Sequence, residues 1–158
     1  MRTQKPTTLV IGVGNAHRGD DAIGPLVASN LKQRAGEKFR VIERAGDGLA
    51  LMEEWEGADT VIILDAARSG SPPGTIHRLN ATTESMPKNF LRCSTHALGV
   101  AETIELARAL RQLPRRVIVY GIEGESFEAG AGLSSAVEAA ALELEALVLR
   151  DVQATVQA

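Results

Sequence analysis

Four consecutive apolar residues, Val61–Leu64, three of them β-branched, constrain this chain more than any other feature of it. A strand with one face in water alternates apolar and polar side chains, whereas an unbroken run of this kind needs cover on both faces. Thr8–Gly14 (TLVIGVG) and Arg116–Tyr120 (RVIVY) have the same character. Such strands belong to the interior of a mostly parallel sheet, and parallel neighbours must be joined by crossovers, usually helices. The spacing predicts those helices. Ile23, Leu26, Val27 and Leu31 share a face within Ala22–Arg34, Leu98–Leu110 is helical, and Val137, Ala141, Leu144, Val148 and Val152 line one side of a helix from Ser135 to about Val152. Ser135 and Glu138 read as an S-x-x-E capping box opening that last helix.

The remaining segments fill in the alternation. Phe39–Glu43 reads as a strand, Gly46–Trp55 as a loop followed by a short helix, and Thr75–Leu79 as a short edge strand with His77 facing outward. Ser69–Gly74 (SGSPPG) is a turn, because paired prolines continue neither strand nor helix. Ala81–Arg92 reads as a long loop, and Gly121–Leu133, with four glycines, as a loop of functional length. Alternating strands and helices imply a mostly parallel sheet with helices on both faces. Right-handed crossovers then gather the strand-to-helix loops on one edge, where ligands of such sheets bind.

Length and charge remove several function classes. The chain has 158 residues, the scale of one domain, with Met1–Pro6 as a polar tail and 1–158 as a single unit. The formal net charge is −3 and aromatic residues make up 3%, which argues against a nucleic-acid surface built on phosphate contacts or base stacking. One cysteine, Cys93, excludes an internal disulfide framework and a thiolate-only metal site. No apolar run approaches the roughly 18 residues of a membrane span. The expected setting is the cytoplasm.

The chemistry is then sought in the loops at the sheet's carboxyl edge. Gly12-Val13-Gly14 after a strand superficially matches a dinucleotide fingerprint, but His17 stands where the third glycine belongs, and Asp20 and Asp21 would repel a pyrophosphate. One of those two acids suffices to cap the following helix, which leaves the other for the cleft. Asp65 directly follows the most apolar strand, where a carboxylate is costly to desolvate unless it is hydrogen-bonded or faces a cation. His96 precedes the Leu98–Leu110 helix, three residues after Cys93. Cys93 is read as a small packed side chain and His17 as an exposed loop residue. Asp21, Asp65 and His96 lie at loop starts that the sheet could bring together. Two carboxylates and an imidazole suit either a divalent ion with mixed oxygen and nitrogen ligands or a general acid and base, and spacing does not choose between them.

The order of these motifs resembles one family. Gly12-Val13-Gly14-Asn15, then Gly19-Asp20-Asp21-Ala22-Ile23-Gly24, then Leu64-Asp65-Ala66, then Ser94-Thr95-His96-Ala97-Leu98-Gly99 is similar to the nickel-iron hydrogenase maturation endopeptidases, over about Thr8 to Leu147. The resemblance implies a three-layer α/β/α sandwich with a twisted, mostly parallel sheet of about five strands. It implies an endopeptidase that removes a C-terminal extension from the hydrogenase large-subunit precursor after nickel insertion, acting as a monomer with neither nucleic acid nor membrane as partner. Asp21, Asp65 and His96 are the implied catalytic and metal-binding residues. The implied metal is nickel supplied by the substrate protein, or another divalent ion in the isolated enzyme. Relatives often carry Glu where this chain has Asp21, which shortens the reach and keeps the charge. Gly46-Asp47-Gly48 falls at a turn that the resemblance links to substrate discrimination. A non-catalytic, metal-dependent maturation chaperone on the same scaffold is the alternative, and a nucleotide-binding enzyme a further one.

Overall fold

A computed structural model describes residues 7–45, 48–88, 90–91 and 98–157. Its elements in chain order are β1 (Thr8–Val13), α1 (Ile23–Ala35), β2 (Arg40–Arg44), α2 (Gly48–Trp55), β3 (Thr60–Ala67), β4 (Ile76–Asn80), α3 (Val100–Ala109), β5 (Arg116–Glu123) and α4 (Ser135–Gln157). A 3-10 turn, Gly19–Ala22, precedes α1. The five strands form one sheet in the order β2-β1-β3-β5-β4, and β4 alone is antiparallel, against β5.

The apolar runs make the three central strands. Every residue of β1 and β3 is buried, as are seven of the eight in β5. Period-two alternation splits their side chains between two cores. Val10, Ile62, Leu64, Ile118 and Tyr120 meet Ile23, Val27 and Leu31 of α1 and Val137, Leu144 and Val148 of α4. Leu9, Ile11, Ile63, Val117 and Val119 meet Leu51 and Trp55 of α2 and Val100, Ile104 and Ala107 of α3. The result is the α/β/α sandwich, with α1 and α4 on one face and α2 and α3 on the other. Truncating a fully buried leucine in either core, such as Leu144, costs about 2–5 kcal/mol.

Three local expectations shift. β3 does not stop at Leu64 but runs to Ala67, because β5 continues to Glu123 and pairs Asp65 with Gly121, Ala66 with Ile122 and Ala67 with Glu123. His77, expected to face outward, is turned inward: its ring lies edge-on to Phe90 with centroids 4.9 Å apart. The residue before α4 that receives a carboxylate is Ser134, one position earlier than the expected capping box. Its carbonyl accepts the Glu138 N–H at 2.9 Å, while its own N–H and hydroxyl donate to Asp20, 114 residues away.

Candidate active site

The site is built at the carboxyl ends of β1 and β3, and it begins with close backbone packing. Gly14 has φ +144°, and a Cβ there would collide with the Asp21 carbonyl oxygen. A side chain on Gly24 would meet the carbonyls of Leu64 and Val13. These glycines let α1 and its preceding turn approach the strands closely, so here they serve protein packing rather than a phosphate.

Asp20 and Asp21 are neighbours with different surroundings. Asp20 is fully buried. Its Oδ2 accepts the N–H groups of Glu125 (2.7 Å) and Ser126 (3.2 Å) and the Ser134 hydroxyl (2.9 Å), and its Oδ1 accepts the Ser134 N–H (2.7 Å). Asp21 is half-buried, and its Oδ2 accepts the Asn15 N–H at 2.8 Å. The expected cap is not made: Asp20 acts as a long-range tie instead of capping α1, and Asp21 is the less buried of the two. The backbone adds to the tie. Asp20 N–H donates to Ser126 O (2.8 Å), Gly19 N–H to Ala131 O (3.1 Å) and Gly130 N–H to His17 O (2.8 Å).

Asp65 is 3% exposed and sits inside β3 rather than in a loop. Its Oδ1 accepts the N–H of Ala66 at 2.8 Å. The 3-10 turn carrying Asp21 packs against β3, so the two sequence-predicted carboxylates belong to contacting elements. His96 and Cys93 lie outside the described residues, as does Asp47. The flanks of the His96 segment are placed: Leu91 bridges to Ala67, two residues beyond Asp65, and Leu98 O accepts the Gly48 N–H at 3.0 Å. Among the described residues no three His, Cys, Asp or Glu side chains gather as a metal site.

Sequence reasoning missed a polar group beside Asp65. The pairing of Asp65 with Gly121, and of Gly121 with His77, puts Asp65 and His77 on one face of the sheet with a glycine between them. Glu123, 2% exposed, lies one rung further on that face. It accepts the Ser69 N–H at 2.9 Å and the Ser69 hydroxyl. His77 Nε2 is 3.4 Å from Glu123 Oε1 but is not aligned for a hydrogen bond, so this contact is ionic when the imidazole is protonated. The alternation of Thr75, His77 and Leu79 was readable. What the sequence lacked was the extension of β5 that turns this face inward.

A buried carboxylate in the central strand, with a second on the turn packed against it, stands at the edge of a mostly parallel sheet where such folds bind ligands, which marks the class as an α/β/α domain with acidic side chains at its ligand edge. The comparisons narrow this to one family: the profile of HycI, hydrogenase maturation protease, matches residues 25–151, and the chain belongs to that family. The match takes in Asp65 and begins four residues past Asp21. The chain is 33% identical over 135 residues to the hydrogenase 2 maturation protease of Escherichia coli, covering 83% of this chain and 81% of that one. It is 30% identical over 140 residues to the hydrogenase expression/formation protein HoxM of Cupriavidus necator, covering 85% and 68%. Among solved structures, the hydrogenase maturating endopeptidase HybD of E. coli superposes with a TM-score of 0.77 at 28% identity, over 94% of this chain and 93% of that one.

Proposed function

We propose that this protein is an endopeptidase that removes the C-terminal extension of a nickel-iron hydrogenase large-subunit precursor once nickel is in place. Asp65 carries the reading. A carboxylate kept in the interior of a central strand must be offset by hydrogen bonds or a cation, and such positions are where function concentrates. Family membership supplies the reaction class and the partner.

In this reading Asp21, Asp65 and His96 are both the docking ligands and the catalytic residues. The precursor's own nickel, part of the substrate, offers a coordination position that oxygen and nitrogen donors suit. A precursor without nickel loses those bonds, so discrimination comes from missing ligands rather than from reading a peptide sequence. Hydrolysis then adds water across the scissile peptide. A carboxylate beside it takes the proton of the attacking water and returns it to the departing amine. The nickel comes with the substrate protein, and the enzyme works as a cytoplasmic monomer of one domain.

Mass spectrometry of a nickel-loaded precursor incubated with the enzyme tests this. The precursor loses the mass of its C-terminal peptide with the wild type. Asp65→Ala and His96→Ala slow cleavage by about 100-fold or more, with the circular dichroism of the folded chain retained, and Cys93→Ser cleaves normally. Nickel-dependent association without a mass change would instead establish the chaperone reading.

A further inference from the structure

We infer that Asp20 is a positioning residue for the substrate-metal ligand Asp21, acting through a tie to the β5–α4 connection; this rests on the reading of Asp21 given above. Asp20 touches no solvent and has no role in the proposed chemistry, yet its carboxylate accepts four hydrogen bonds from Glu125, Ser126 and Ser134. All four donors come from residues 105 to 114 positions away. None belongs to the helix that Asp20 precedes. A local cap would stabilise α1; this carboxylate instead fixes the turn containing Asp21 to a different part of the molecule.

The geometry leaves that turn little freedom. On one side Gly14 abuts the Asp21 carbonyl so tightly that no side chain fits at position 14. On the other, Gly19 lies against Ser126 and Phe127, and Arg18 bridges to Ala129. Between these contacts the Asp20 carboxylate is the one side chain of the turn bonded across to the β5–α4 connection in the described residues. Residues adjacent in sequence share a backbone, so a displacement of Asp20 moves Asp21. Misplacing a ligand by about 1 Å is enough to lose much of its contribution. An amide at position 20 has one acceptor oxygen in place of two, and its NH2 group would face N–H donors.

The test measures the dissociation constants of nickel-loaded and nickel-free precursor for the wild type, Asp20→Asn, Asp21→Ala and the double variant, each on chain shown to be folded. A positioning role predicts that Asp20→Asn lowers the preference for the loaded precursor, the nickel-free constant divided by the nickel-loaded one, by about tenfold, the scale of a lost charge-assisted hydrogen bond. It also predicts that Asp20→Asn adds nothing once Asp21 is alanine, the non-additive result of a double-mutant cycle. A merely structural Asp20 reduces the amount of folded enzyme and leaves the ratio unchanged. Should Asp20→Asn fail to fold, Ser134→Ala removes a single bond and carries the same test, with a loss of about threefold expected. A folded variant with the wild-type ratio, or effects of Asp20→Asn and Asp21→Ala that multiply, overturns the inference while leaving the proposed function intact. A wild type that does not distinguish the two precursors removes both.

Discussion

Asp20 and Asp151 are both buried carboxylates, and they are compensated in opposite ways. Asp20 has amides and a hydroxyl around it and no cation within its hydrogen-bond set. Asp151, on α4, has Arg78 in a two-pronged pair (2.7 and 3.2 Å), the Tyr120 hydroxyl, and Arg116 at 3.8 Å. Neutral dipoles hold a carboxylate in place without cancelling its charge, whereas two guanidinium groups do cancel it. The neutral solution occurs beside the proposed active site, where a nearby guanidinium would compete for the carboxylates meant for the substrate's metal. The ionic solution occurs away from it, joining β4, β5 and α4, where only cohesion is required.

That contrast is open to measurement, and the largest effect belongs to Asp20. Asp20→Ala strands several buried donors at once and is expected to cost about 3–5 kcal/mol in a urea titration. A cost below about 1 kcal/mol would mean that water replaces the carboxylate, which would make the tie dispensable. Asp151→Asn should cost less, about 1–2 kcal/mol, because the Arg78 side chain is 43% exposed and water screens what remains.

The pH response sharpens the comparison. Burial alone would raise the Asp151 carboxyl, but the hydrogen bonds from Arg78 and Tyr120 and the charges of Arg78 and Arg116 outweigh it and hold the group below the ordinary carboxylate value. A lowered carboxyl stabilises the fold fully above its unfolded pKa, about 3.9, and the contribution is lost as pH falls through the lower folded value. The stability difference between wild type and Asp151→Asn should therefore be constant at neutral pH and shrink below about pH 4. A difference that persists to the acid limit would refute the ionic account of Asp151.

The smallest effect is spectroscopic. Tyr120 is the chain's single tyrosine, and burial, reinforced by its bond to Asp151, pushes its hydroxyl up to about 12. Tyrosinate absorbance should therefore appear near that value in the folded protein and near 10 in denaturant. Stability from this raised group is present below the unfolded value and lost as pH rises through the folded one. Titration near 10 in the folded state would show the hydroxyl to be solvated.

What was legible in the sequence follows from the range of the interactions. The runs at Thr8–Gly14, Val61–Leu64 and Arg116–Tyr120 carry their burial in their own composition, so the parallel sheet and its two helical layers could be read directly. Asp65 stood out because a carboxylate abuts such a run. The different roles of Asp20 and Asp21 could be posed but not assigned, because the donors that settle Asp20 are more than a hundred residues away. The same distance misled the reading of Ser135 and Glu138 as a local box, since Ser134 meets Asp20 instead. His77 was assigned to the wrong side of its strand because its partners, Phe90 and Glu123, come from segments that showed no period of their own.

The Asp20 tie also bears on the order of assembly. Its donors lie in the connection between β5 and α4, so that connection must have docked before the early turn next to β1 is held. Contacts of such large sequence separation close late, after local helices and neighbouring strands have collapsed. A growing or partly folded chain therefore lacks a fixed turn at Asp20 and Asp21 until the far end of the sequence has reached it.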